Sequence, residues 1–285
     1  MTRTSQNRCA FCDFRGKLTK EHVFADWLRP YTPRRWRYTT QFQAAGSFVG
    51  ERVPKPVTPQ KFGRLHRPGD PHSQRLQIVC VDCNTGWMSQ LQERAKPYLV
   101  PLLTGGWTKL DQAGRQTMAA WAVMTAMVME FSSDSMASTI GERHVLRRFN
   151  APSPRWRVWA GRCEPSLSGD VFGISWTRHA DGTAGTVDRP IDDTVVTGFA
   201  AGQALFLTFY SRRHSVDASD IAQATSLANL QWSPGWFRWD APLGAPDVVH
   251  DLESATAIWH LIPRRFGLDV GNDPTWIANR HQSTS

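Results

Sequence analysis

Cys9-Ala10-Phe11-Cys12 and Cys80-Val81-Asp82-Cys83-Asn84 bracket the step Lys20-Glu21-His22-Val23. Two CxxC pairs offer four thiolates, the donor set of a closed tetrahedral Zn²⁺ shell, and such a shell would draw two distant segments together. Cys9, Cys12, Cys80 and Cys83 are therefore the expected structural zinc ligands, and residues 8–16 read as a knuckle. Working outward, Leu18–Phe24 predicts a short strand, and Ala25-Asp26-Trp27-Leu28 a helical turn before Pro30. Leu76-Gln77-Ile78-Val79 alternates as a second strand that delivers Cys80. A helix is expected from Asn84 through Trp87, Met88 and Leu91 towards Lys96, ending where Pro97 follows. Asn84 then has two readings, N-cap of that helix or ligand to a second ion shared with Glu21.

Composition narrows the class. A chain of 285 residues with 41% hydrophobic content can build one large or two ordinary cores. Residues 1–100 hold 17 Lys+Arg against 7 Asp+Glu, a net of +10, while the remainder holds 16 against 18, a net of −2. The basic third that carries the cysteines suits a polyanionic partner, most simply nucleic acid. Within the Pro-, Gly- and Arg-rich stretch from Thr32 to Gln74, Arg34, Arg35 and Arg37 alternate with Trp36 and Tyr38. Cations interleaved with rings can grip phosphates and stack on bases, although a solvated basic loop has the same composition. Four of the five cysteines sit in CxxC pairs, and Met1–Arg8 lacks an apolar signal core. A cytoplasmic location is the expectation. The longest apolar run, Met118–Met129, is too short to cross a bilayer, so no membrane partner is expected.

The second half differs in character. Asp111 can cap a helix from Gln112 to about Phe131 that is apolar on nearly every face and hence buried, with Met118, Met124, Met127 and Met129 as core filler. Trp156–Trp159, Val171–Trp176 and Ala204–Tyr210 read as strands between Gly, Pro and Asp turns. The expected class is α+β: a zinc-stapled unit over residues 1–100, then an α+β domain over 101–285 with a buried helix and antiparallel strands. Cys163 reads as an idle thiol, and His66, His72, His179, His214, His250 and His260 as surface or packing residues.

The segment around residues 8–96 resembles the HNH endonuclease family, whose ββα-metal unit carries an acid–His step at the end of its first strand. Many members also carry paired CxxC knuckles. The resemblance implies that His22 is the general base on the attacking water, and that Glu21 and Asn84 hold a catalytic Mg²⁺ or Mn²⁺ beside the separate zinc site. It further implies hydrolysis of phosphodiester bonds, in double-stranded DNA. Two positions depart from the pattern. The asparagine that orients the histidine is missing from His72-Ser73-Gln74-Arg75-Leu76, and Ala25 stands where a proline is common. Ser73, Gln74 or a backbone carbonyl is left to orient His22. The rival reading is a non-catalytic zinc module that binds nucleic acid, with Glu21 and His22 in structural roles. Oligomeric state is not legible.

Overall fold

The computed structural model describes residues 8–32, 75–131, 136–168, 171–178, 192–212, 218–230, 248–251, 254–255 and 257–258. The basic stretch with Arg34, Arg35 and Arg37, and also Ser73 and Gln74, lies outside the described residues. The fold is α+β, with helices packed on antiparallel sheets.

Strand β1 (Thr19–His22) pairs antiparallel with β2 (Arg75–Val79), matching Thr19 to Val79 and His22 to Arg75, with a register shift between Thr19 and Lys20. Both strands fall where the alternation of the sequence predicts them. The knuckle is hydrogen-bonded onto this hairpin: Ala10 N–H donates to the Ile78 carbonyl at 2.7 Å, and Cys9 N–H closes its own turn on the Phe14 carbonyl at 2.9 Å. After β1 the chain turns inward. Val23, Phe24 and Leu28 are buried, and Phe24 meets Phe199 edge-on with ring centroids 6.3 Å apart.

After β2, a wide helical turn (Asp82–Met88) with a break at Gly86 leads into α1 (Ser89–Leu103). The helix does not stop before Pro97, as expected, but continues through Pro97 and Pro101. An interior proline costs about 3 kcal/mol, because it removes a backbone donor and crowds the preceding turn. Here Leu91, Ala95, Leu99, Leu102 and Leu103 are buried along one face. Burial of several leucines at roughly 1.5–3 kcal/mol each outweighs that local cost.

Helix α2 (Gln112–Glu130) follows the sequence reading closely. Asp111 Oδ1 accepts from Gly114 N–H at 2.7 Å as N-cap. Its side chains are buried from Met118 through Glu130. Trp121 packs against Phe206 at 5.2 Å and Phe199 at 6.1 Å. Helix α3 (Ile140–Phe149), which the sequence reading omits, is capped by Thr139 and ended by Asn150 in the left-handed region at φ 50°.

The larger sheet holds β3 (Trp156–Cys163), β4 (Val171–Arg178), β5 (Asp192–Ala201), β6 (Ala204–Ser211) and β7 (Ala228–Asn229), in the order β4-β5-β6-β3-β7. These strands run antiparallel, while the short β8 (Val249–His250) joins β3 in parallel. The sequence reading also omits β5 and the peripheral α4 (Ala218–Thr225). On β6 the burial is continuous, because one face meets α2 and the other a second cluster containing Trp159, Cys163 and Ile221. The expected boundary at residue 100 falls inside α1, and one buried cluster runs from Cys9 through Trp121 to Leu230.

Arg143 ties the two parts together from a fully buried position. Its guanidinium donates to the Ala10 carbonyl in the knuckle at 2.7 Å and to the Ser138 carbonyl at 2.6 Å. Glu130, also buried, accepts from the backbone N–H groups of Ala137 and Ser138 at 2.8 and 3.0 Å. Burial raises its pKa, and these donors and the charge of Arg143 oppose the rise.

Candidate metal centre and the histidine beside it

The knuckle turn, the end of β2 and the first helical turn bring Cys9, Cys12, Cys80 and Cys83 together, with every pair of sulfurs within 4.8 Å. Cys12 Sγ and Cys80 Sγ are 3.7 Å apart. A tetrahedral ion with metal–sulfur bonds of about 2.3 Å places its ligands about 3.8 Å from one another. The arrangement therefore fits a metal ion, as the CxxC spacing predicts. Among the described residues it is the one group of three or more His, Cys, Asp or Glu side chains close enough to share an ion.

The electrostatics of the four sulfurs point the same way. Hydrogen bonding from Cys83 holds Cys9 down at about 4, so one thiolate is accommodated without any cation. Burial pushes Cys12 up to about 11, and the neighbouring Cys9 thiolate raises Cys83. The Cys9 thiolate thus disfavours ionisation of Cys12 and Cys83. A cation reverses this by neutralising the repulsion, which is how a coordinated thiol loses its proton.

Asn84 does not cap the helix. Its backbone N–H donates to the Cys80 carbonyl at 3.0 Å, within the first turn. Its side-chain Nδ2 reaches across to β1, donating to Thr19 Oγ1 at 3.0 Å and towards the Lys20 carbonyl at 3.4 Å. Thr19 Oγ1 donates in turn to the Val79 carbonyl at 2.9 Å. This chain staples the helical turn onto the hairpin and assembles a ββα unit. Asn84 Oδ1 accepts no hydrogen bond among the described residues.

Successive residues of a strand face opposite ways, and β1 separates the acid–His step accordingly. Glu21 turns inward at 5% exposure, and among the described residues no donor or cation meets its carboxylate. Burial raises its pKa from 4.5 to about 7. His22 lies on the more open face. Arg75, its partner across the hairpin, donates from Nε to His22 Nε2 at 2.8 Å, which leaves the imidazole proton on Nδ1. Asp26 Oδ1 is 3.8 Å from the same nitrogen and is itself held by Arg29 at 2.8 Å. Arg75 and Asp26 thus flank His22. Neither stood out in the sequence. An acid four residues beyond the histidine, across a turn, is the one signal that could have marked Asp26.

The buried Glu21 has a measurable consequence. Between pH 4.5 and about 7 the folded state retains a proton that the unfolded state has released, so stability falls as pH rises through that window and levels off above it. A carboxyl whose acid strength falls tenfold on folding costs about 1.4 kcal/mol of stability once ionised. Glu21→Gln should therefore flatten the decline and raise the melting temperature at pH 8, measured without added divalent cation. Parallel profiles for variant and wild type would show that Glu21 ionises as it does in water.

Cys163 is buried within the larger sheet, away from the four-sulfur group, and His250 is buried on the adjoining strand. No described helix is long and apolar enough to cross a membrane. Comparison with known proteins returns no relative: no family model matches the chain, and no curated protein or solved structure matches it significantly.

Proposed function

We propose that the protein is a metal-dependent endonuclease of the HNH type, acting on phosphodiester bonds in DNA. The observation that carries this reading is the hydrogen bond from Asn84 in the helical turn to Thr19 of β1, which sets a helix residue beside the strand bearing Glu21 and His22. Two antiparallel strands, a helix and the acid–His and Asn residues then occur in the order that such a nuclease uses. Zn²⁺ is the ion assigned to Cys9, Cys12, Cys80 and Cys83, because a closed four-thiolate shell retains it without redox chemistry.

Glu21 and Asn84 are the residues that would hold Mg²⁺ or Mn²⁺, whose bound charge would stabilise the phosphorane-like transition state. A buried carboxylate and an amide oxygen, neither meeting a hydrogen-bond donor among the described residues, suit a hard cation. His22 accepts the proton of the attacking water at Nε2 once the Arg75 guanidinium turns to a phosphate oxygen. The imidazolium so formed is stabilised by the Asp26 carboxylate. Asp26 thereby takes over the orienting duty of the missing asparagine, while Arg75 is released to the phosphate.

The second reading, a zinc module that binds nucleic acid without cutting it, draws on the engagement of His22 Nε2 by Arg75 and the inward turn of Glu21. Conversion of supercoiled plasmid to nicked circles separates the two. The nuclease reading expects nicking with Mg²⁺ or Mn²⁺ and none with Ca²⁺ or without added ion. Binding without nicking under any of these ions would leave the second reading.

A further inference from the structure

We propose that the groove between α3 and the cysteine knuckle is a docking track for the phosphodiester backbone of duplex DNA, held by Arg147 and Arg148. The proposal rests on the nucleic-acid reading above and extends it to residues other than those of the basic stretch from Thr32 to Gln74. The groove has a volume of about 510 Å³ and is lined by Cys12, Asp13, Trp87, His144, Arg147 and Arg148.

Its wall is fixed from beneath. Buried Arg143 anchors α3 to the knuckle through the Ala10 carbonyl, so the helix cannot roll away from the rim. His144, Arg147 and Arg148 are spaced i, i+3 and i+4 and share the face towards the groove. Opposite them stands Trp87, set edge-on against Phe11 with ring centroids 5.2 Å apart.

The charges in the groove are unbalanced in favour of an anion. Asp13, the acid in the lining, is already engaged by Arg8, and it lies 3.9 Å from His144. Arg147 and Arg148 are exposed, and neither has a carboxylate partner among the described residues. Two adjacent guanidinium groups without a carboxylate among the described residues match consecutive phosphates, whose non-bridging oxygens accept the planar guanidinium fork. The position also suits a duplex that reaches the histidine. Cys80 adjoins the groove at one end of β2, and Arg75 with His22 lies at the other. The five strand steps from Cys80 to Arg75 are roughly 17 Å, or about five base-pair rises of 3.4 Å.

Anisotropy of a labelled DNA duplex, titrated with salt, tests the track in the full-length, metal-loaded protein. Removing two phosphate contacts should lower the slope of log affinity against log salt by about 2, since each contributes about 0.9. Arg147→Ala/Arg148→Ala should show that loss, while Arg147→Lys/Arg148→Lys should retain the slope. Metal content is measured on each variant. An unchanged slope in the alanine variant, with wild type binding steeply, overturns the track and leaves the nuclease reading intact. An unchanged slope with reduced metal content shows that the arginines serve only to neutralise the thiolate centre, and also overturns it. Wild type that fails to bind duplex at low salt overturns both proposals.

Discussion

His22→Ala should lower the rate of plasmid nicking by about 10²–10⁴-fold, the usual contribution of a positioned general base. In the proposed mechanism the imidazole takes the proton of the attacking water, so its removal would raise the barrier and leave ground-state affinity alone. Metal content, melting temperature and duplex affinity should stay near wild-type values, because the side chain lies on the open face of β1. In the same divalent-ion titration, Asn84→Ala should instead shift the concentration of Mg²⁺ or Mn²⁺ required. That change also removes the bond to Thr19, so its melting temperature must be read beside its activity. Equal nicking by His22→Ala and wild type, in matched preparations with equal metal content, would falsify the assignment of the base.

Cys80→Ser should release the bound ion and unfold the knuckle together with the β1–β2 hairpin. Structural four-ligand sites contribute about 10–16 kcal/mol of apparent binding energy in small zinc modules, and much of that is folding energy. Apart from the sulfurs, the segment is held by packing on distant elements and by the Arg143 bond to the Ala10 carbonyl. Its buried apolar residues, such as Phe11, Leu18 and Val79, sit against elements far away in sequence, and the sulfurs are the link between the knuckle and the end of β2. Native mass spectrometry should show the loss of one ion per chain, and hydrogen exchange should show lost protection over residues 8–24 and 75–88. The sheet from β3 to β6 has its own packing around Trp159 and Phe209 and should remain protected. Cys163→Ser, placed in that second cluster, should leave the ion count unchanged. Retention of the ion by Cys80→Ser would show that the remaining donors suffice, contrary to a closed four-sulfur shell.

The two experiments probe different levels of one structure. Loss of the sulfurs removes the frame on which His22 is held, whereas loss of the imidazole leaves the frame and removes only a proton acceptor. Arg143 belongs with the frame, since its bond to the Ala10 carbonyl joins the knuckle to α3 and the buried Glu130 region. The position of the proposed DNA track thus depends on the same residue that seats the metal centre against the rest of the protein.

The amino-acid sequence alone determined the features that depend on residue type and short spacing. The paired CxxC motifs identified the four sulfurs that gather closely enough to bind a metal ion, the alternation around Leu76–Val79 identified β2, and Asp111 before a continuously apolar run identified α2 and its cap. Tertiary structure decided what depends on distant partners. Helix α1 passes through Pro97 and Pro101 because its leucines are buried, and that burial is not legible in the prolines themselves. Asn84 serves the hairpin and not its own helix, through a partner 65 residues away. Arg75 reaches His22 across 53 residues, and Arg143 reaches Ala10 across 133. Glu21 and His22 are neighbours in the chain yet face opposite sides of β1, one desolvated and one partly open, because a strand alternates its side chains and only one face meets a core. Local propensity carries the first kind of information, while the second arises only when packing chooses which distant groups share a surface.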